Sequence, residues 1–250
     1  PADVSTFVGR RHELAEAKEL MSQSRLLTLT GAGGVGKTRL ALRLATSVRR
    51  AFRDGVWFVD LTMLSNADVL AEAVAQALEI PERSSRPGIA ILADYLRDRE
   101  LLLVLDNCEH LLPDVAVLAD KLLCAAGDLR ILATSRQSLN ITSEYTMTIG
   151  SLSLPRADQS GGTPDAIAQY EAVALFVERA RAVVRNFTLD DENRDAVVAV
   201  CRRLDGIPLA IEMAAVRLRI LSPQQIVERL DDRYRLLTTG PRTVARRHQT

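Results

Sequence analysis

Residues Gly31, Ala32, Gly33, Gly34, Val35, Gly36, Lys37 and Thr38 satisfy G-x-x-x-x-G-K-[ST] at every required position, and their surroundings constrain the chain more than any other feature. An apolar run, "RLLTLT", leads in, and a longer amphipathic run, "TRLALRLATSVRRAF", leads out. A strand must therefore end in a glycine-rich turn whose last residues open a helix, which is the local geometry of a phosphate cradle. Glycines let backbone N–H groups turn inward, and the helix N-terminus adds partial positive charge. In such a loop Lys37 reaches the outer phosphates and the Thr38 hydroxyl ligates Mg²⁺, so residues 31–38 are the expected site for a nucleotide triphosphate.

That loop belongs in an open parallel sheet. From Arg25 to about Ser153, short apolar runs alternate with amphipathic segments long enough for crossover helices. The candidate strands are "RLLTLT", "VWFVDL", "LLLVLDN", "RILATS" and "YTMTIGSL", with the near-continuous apolar character of strands covered on both faces. After Pro155 the texture changes. "RADQSGGTPD" reads as a loop, with Thr163 as N-cap and Pro164 as first helical residue. Beyond it only helices are expected: "DAIAQYEAVALFVERARAVV", "NRDAVVAVCRRL", "PLAIEMAAVRLRIL" and "SPQQIVERLDDRY". The expected fold is α/β, a P-loop NTPase parallel sheet of about five strands flanked by helices, followed by a small all-α domain. The boundaries read as 1–155 for the nucleotide-binding domain, 156–240 for the helical domain and 241–250 for a linker.

The 250 residues, 47% of them hydrophobic, suffice for two cores at about 100–200 residues per domain. Lys+Arg and Asp+Glu balance at 32 each, so no overall field draws the chain toward nucleic acid or an anionic membrane. Neither is an expected partner. Cys108, Cys124 and Cys201 are odd in number and lack metal-ligand spacing, which fits reduced thiols in the cytoplasm. No apolar run approaches the ~20 residues of a membrane span, and no signal peptide opens the chain. Beginning at Pro1 and stopping in "RTVARRHQT", the chain reads as a piece of a longer protein.

A magnesium–nucleotide site also needs an acidic group at the end of a second buried strand. "LLLVLDN" supplies Asp106. Asn107 follows where a second carboxylate could serve as base, and Asn accepts no proton; Glu109 could substitute, or be an ordinary solvated loop residue. "ATSRQSL" places Thr134, Ser135 and Arg136 at the same carboxyl edge, where ligands of open α/β sheets collect. Arg136 either reads a γ-phosphate, present in ATP and absent from ADP, or is a solvated surface residue.

Taken in order, "FVGRRHEL", "LTGAGGVGKTRLAL", "LLVLDNCEHL", "ILATSRQSL" and "LDGIPLAIEMAA" resemble the NB-ARC branch of the STAND class of P-loop ATPases. The wording is closer still to the ATPase regions of bacterial transcriptional regulators of the SARP and LuxR types, from about Phe7 to the last residue. The resemblance implies that the segment of Val8, Gly9 and Arg10 contacts adenine, that Arg39 approaches the nucleotide, and that Pro208 of "GIP" packs on the base or ribose. It implies an ATP/ADP switch in which ADP holds a closed monomer and ATP with Mg²⁺ favours an open form able to assemble with copies of itself. It also implies flanking winged-helix, DNA-binding and sensor domains as partners within the same polypeptide. Asn107 departs from the acidic residue usual in plant and animal members, predicting slow hydrolysis. His248, in "RRHQT", does not match the winged-helix phosphate sensor. An ATPase driving an oligomer cycle is the alternative reading.

Overall fold

A computed structural model describes residues 6–64, 66, 69–81, 86–156 and 162–238. The basic tail with Arg242, Arg246, Arg247 and His248 lies outside the described residues. The chain divides into two units, Pro1–Gly150 and Ser151–Thr250, a boundary slightly ahead of the one read from loop composition.

In the first unit, strands β1 (Leu26–Thr30), β2 (Val56–Asp60), β3 (Leu102–Asp106), β4 (Arg130–Thr134) and β5 (Glu144–Thr148) form one parallel sheet in the order β2-β3-β4-β1-β5. All five match the apolar runs of the sequence. Side chains alternate between faces, so β1 to β4 feed two cores, while the edge strand β5 adds only Met147, to one of them. Leu103 and Leu105 of β3, with Ile131 and Ala133 of β4, face one layer; Leu102, Val104 and Leu132 face the other. The first layer is closed by α3 (Leu70–Ala77), α4 (Gly88–Leu96) and α5 (Leu112–Ala125). The second is closed by α1 (Arg11–Gln23) and α2 (Lys37–Val48), which buries Leu40, Ala41, Leu44 and Ala45. Because every strand runs the same way, Thr30, Asp106 and Thr134 arrive at one edge of the sheet. This is the edge where the loop after β1 turns into α2.

The second unit is helical: α6 (Pro164–Ile167), α7 (Glu171–Val183), α8 (Arg194–Arg203), α9 (Pro208–Val216) and α10 (Pro223–Thr238). Phe176 is fully buried and meets Phe187 edge-on, ring centroids 6.2 Å apart. The Thr163 side chain caps α6 by accepting from the Ala166 N–H, with Pro164 at the first position. The single helix expected from Asp165 to Val184 is instead broken at residues 168–170. Ser153 explains the break: its Oγ accepts from the Glu171 N–H at 3.0 Å and its carbonyl from the Ala172 N–H at 3.2 Å. These bonds satisfy the orphan donors of a new helix start, which local periodicity cannot reveal.

Cys108 and Cys201 are buried, Cys124 is exposed, and none is disulfide-bonded. Burial pushes the Cys108 and Cys201 thiols up to about 12, so neither is a nucleophile at neutral pH. Among the described residues, no helix is long and apolar enough to cross a membrane.

Candidate nucleotide site

The loop after β1 is built on backbone that only glycine adopts comfortably. Gly31 has φ 145°, and a Cβ there would stand 2.4 Å from the Ile149 carbonyl oxygen, so the loop's first residue fits against the chain leaving β5 only without a side chain. Gly36, at φ 95°, is the left-handed residue from which α2 starts. Gly33 and Gly34 lie between them with Val35, whose side chain is buried in the core beneath the loop. Lys37 is the first residue of α2. Its Nζ donates to the Gly31 carbonyl at 2.8 Å and the Ala32 carbonyl at 3.0 Å, so the amine already lies over the loop. Burial lowers its pKa most; Glu109 raises it, Arg136 lowers it and Asp106 raises it. These four charged groups therefore share one electrostatic neighbourhood.

Asp106 ends β3 and is 6% exposed. The Thr38 hydroxyl donates to Oδ1 at 2.8 Å, with Oδ2 at 3.1 Å, and the Thr134 hydroxyl donates to Oδ1 at 2.5 Å. Burial raises the Asp106 pKa, the two hydroxyl donors pull it down, and the charges of Asp60 and Glu109 raise it. Thr134 is also an acceptor, taking the Asn107 N–H at 3.0 Å. A chain of bonds thus runs from α2 through Thr38, Asp106 and Thr134 to the backbone beyond β3. The sequence places Thr134 at the carboxyl edge of the sheet; its position between the Asp106 carboxylate and the Asn107 N–H comes only from the fold.

Asn107 is left-handed, φ 64° and ψ 49°, a conformation its short polar side chain tolerates. The turn it makes leads into a 3₁₀ segment, Cys108–His110, and Glu109 comes back toward the loop. Glu109 Oε1 accepts from Arg136 Nε at 3.1 Å. The guanidinium of Arg136 in turn lies against the loop, with one nitrogen 3.7 Å from where a Cβ on Gly33 would be. Lys37, Asp106, Glu109 and Arg136 are therefore brought together around the glycine loop.

The N-terminal segment is anchored on the loop and on α2. Gly9 and Arg10 are both left-handed, at φ 72° and 59°, and half-buried Val8 precedes them. The Arg10 guanidinium is 4% exposed and turned onto backbone. It donates to the Val35 carbonyl at 2.9 Å and the Gly150 carbonyl at 2.6 Å, and pairs with Glu13 at 2.9 Å. Arg39 donates to the Thr6 carbonyl at 2.9 Å and lies 6.0 Å from the Phe7 ring centroid, pinning the segment to α2. In the second unit Gly206, at φ 66°, allows a close turn under the Leu152 carbonyl, and Pro208 starts α9.

The donor set fits a nucleotide with Mg²⁺. Positive-φ glycines and a helix start supply the cradle, Lys37 the cation, and Thr38 with a buried carboxylate the hard oxygen pair that suits Mg²⁺.

Comparisons with known proteins agree with this geometry. Residues 19–142 match the family described as "AAA domain". The chain is 43% identical over 233 residues to a Mycobacterium tuberculosis protein named "Putative HTH-type transcriptional regulator", covering 93% of this chain and 25% of that protein. It is 29% identical over 238 residues to the regulatory protein AfsR of Streptomyces coelicolor, covering 87% of this chain and 21% of AfsR. The chain thus spans about a quarter of the length of such relatives. Among solved structures it is similar to a STAND protein with a tetratricopeptide repeat sensor from Pyrococcus horikoshii, with a TM-score of 0.56 at 14% identity, over 96% of this chain and 34% of that one. At that identity the likeness is one of fold. Residues 19–142, which carry the glycine loop, Asp106, Thr134 and Arg136, are similar to that AAA domain family, and the fold is that of a P-loop NTPase.

Proposed function

We propose that this chain is the ATP/ADP-binding switch module of a larger cytoplasmic transcriptional regulator, of the NB-ARC kind, in which the bound nucleotide is a signal and hydrolysis is slow. The observation that carries the reading is the Thr38–Asp106–Thr134 chain of hydrogen bonds beside Arg136. It ties the phosphate-binding helix to the ends of β3 and β4, so a group that alters Thr38 or Asp106 is felt at Arg136.

In this reading the backbone N–H groups of residues 31–38 and the amine of Lys37 hold the phosphates, and Thr38 with Asp106 holds Mg²⁺, which neutralises charge between the outer phosphates. Arg136 distinguishes ATP from ADP by bonds to the terminal phosphate. Arg39 and Val8 present the segment next to the nucleotide, while Arg10 acts as a positioning residue for the loop. Pro208, which the resemblance assigns to the base or ribose, passes the identity of the nucleotide to the helical unit. Asn107 in place of an acid leaves no carboxylate directly after Asp106, which supports slow turnover. ATP-dependent assembly with copies of the same chain is part of the proposal, as are DNA-binding and sensor functions in flanking domains.

One observation favours the alternative, a working ATPase: Glu109 Oε2 is buried without a hydrogen-bond partner among the described residues and could orient a water.

Calorimetric titration with ATP and ADP, with and without Mg²⁺, tests the reading. Both nucleotides should bind, ATP should gain more from Mg²⁺, and Lys37→Ala should weaken both by at least about tenfold, the scale of one lost charge-assisted phosphate contact. Equal binding by Lys37→Ala, or none by the unmodified chain, overturns it.

A further inference from the structure

We propose that Glu109 is a built-in competitor for Arg136, a latch that holds the arginine away from an incoming terminal phosphate and so sets how strongly the site prefers ATP over ADP. The inference rests on the nucleotide-switch reading above.

The two partners differ in freedom. Glu109 is held from both sides: the Asn107 N–H is bonded to Thr134, and the His110 ring nitrogen lies 2.9 Å from the Leu64 carbonyl. The Leu111 N–H closes the intervening turn on the Cys108 carbonyl at 3.0 Å. The Glu109 side chain is 21% exposed. Arg136 is 65% exposed on a long stem, just past the end of β4. When the pair parts, the arginine is the group that moves, and its guanidinium already lies against Gly33 of the loop.

The pair is also suited to being exchanged. An ion pair this exposed is weak, so a phosphate dianion close to the loop, offering several oxygens to the guanidinium, outcompetes one carboxylate oxygen. Parting is not free, because Glu109 Oε2 is already buried with no partner among the described residues, and losing Arg136 leaves the Lys37 amine as the nearby cation facing the carboxylate. The latch therefore re-engages when the terminal phosphate is gone. With ADP the pair persists; with ATP it is broken, and the cost of breaking it is subtracted from ATP affinity alone.

The test is a double-mutant cycle read as the ratio of ATP to ADP affinity. Glu109→Gln should raise ATP affinity about twofold to fivefold, the range of an exposed ion pair, with ADP unchanged. Arg136→Ala should lower ATP affinity, and adding Glu109→Gln to it should then change nothing. Glu109→Asp keeps the charge but shortens the stem, so it too should raise the ratio; it serves if Glu109→Gln melts early without nucleotide. A gain that persists in the Arg136→Ala background, or that appears with Gln but not Asp, means direct repulsion between Glu109 and the phosphates and overturns the latch. So does an unchanged ratio. Loss of all nucleotide binding by the unmodified chain is a different result, and overturns the switch reading itself.

Discussion

Thr134→Val removes one hydroxyl from the centre of the site with little change in shape, and its cost follows from the geometry. The hydroxyl donates to the Asp106 carboxylate at 2.5 Å and accepts the Asn107 N–H at 3.0 Å, in a residue 1% exposed. A hydrogen bond to a charged acceptor contributes about 1.5–3 kcal/mol. For a protein of this size that is a fall in Tm of about 3–12 °C. Thr134→Ser keeps the hydroxyl and loses a methyl, about 0.8 kcal/mol, so Val should be the more damaging change despite the better fit. The pH dependence has a definite sign. The Thr134 bond holds the Asp106 pKa down against burial, so its removal raises that pKa further. The deficit of Thr134→Val is present in full above both pKa values and shrinks as pH falls through them. Thermal melts of the three proteins at neutral and acid pH decide it. A Val variant as stable as the parent, or less damaging than Ser, would refute the network.

Two further predictions concern the charged groups. Asp106→Asn should abolish the Mg²⁺-dependent gain in ATP affinity while sparing ADP more, and it should not lower Tm at neutral pH. The reason is that burial raises the Asp106 pKa in the fold, so ionisation costs stability as pH rises from the unfolded pKa through the folded one, and that cost persists above both; calorimetry and melts read the two effects separately. Arg10→Ala should destabilise the first unit by about 2–4 kcal/mol, since it leaves the Val35 and Gly150 carbonyls without their charged donor, and it should weaken ATP and GTP in the same proportion. A selective loss of preference for adenine over guanine would instead make Arg10 a base reader.

How much of this was legible depended on whether the cause was local. Strands β1 to β4 could be read because each carries apolar residues for both helix layers, as Leu102 to Leu105 do, and the glycine loop because its conformation demands particular residues in a row. Asp106 was legible as an acid ending such a strand, as Asp60 also ends β2. The break before Glu171 was not, because its cap comes from Ser153 across a loop. Arg10 carried no sign of its backbone partners, which lie 25 and 140 residues away, nor Thr134 of an acid 28 residues away. Pairing between distant polar groups leaves no period in the sequence, so the motifs located the site while the hydrogen bonds that set its balance came only from the fold.

The central claim is that the bound nucleotide is held as a signal rather than spent. Steady-state ATP hydrolysis by the purified chain with Mg²⁺, beside Lys37→Ala to subtract contaminants, tests it most directly, provided bound nucleotide is measured in the same samples. The account predicts occupied sites turning over near the ~10⁻⁴ s⁻¹ of an unassisted nucleotide switch. Turnover approaching the ~10 s⁻¹ typical of enzymes, lost in Lys37→Ala, would contradict it and make Glu109 the base of a working ATPase.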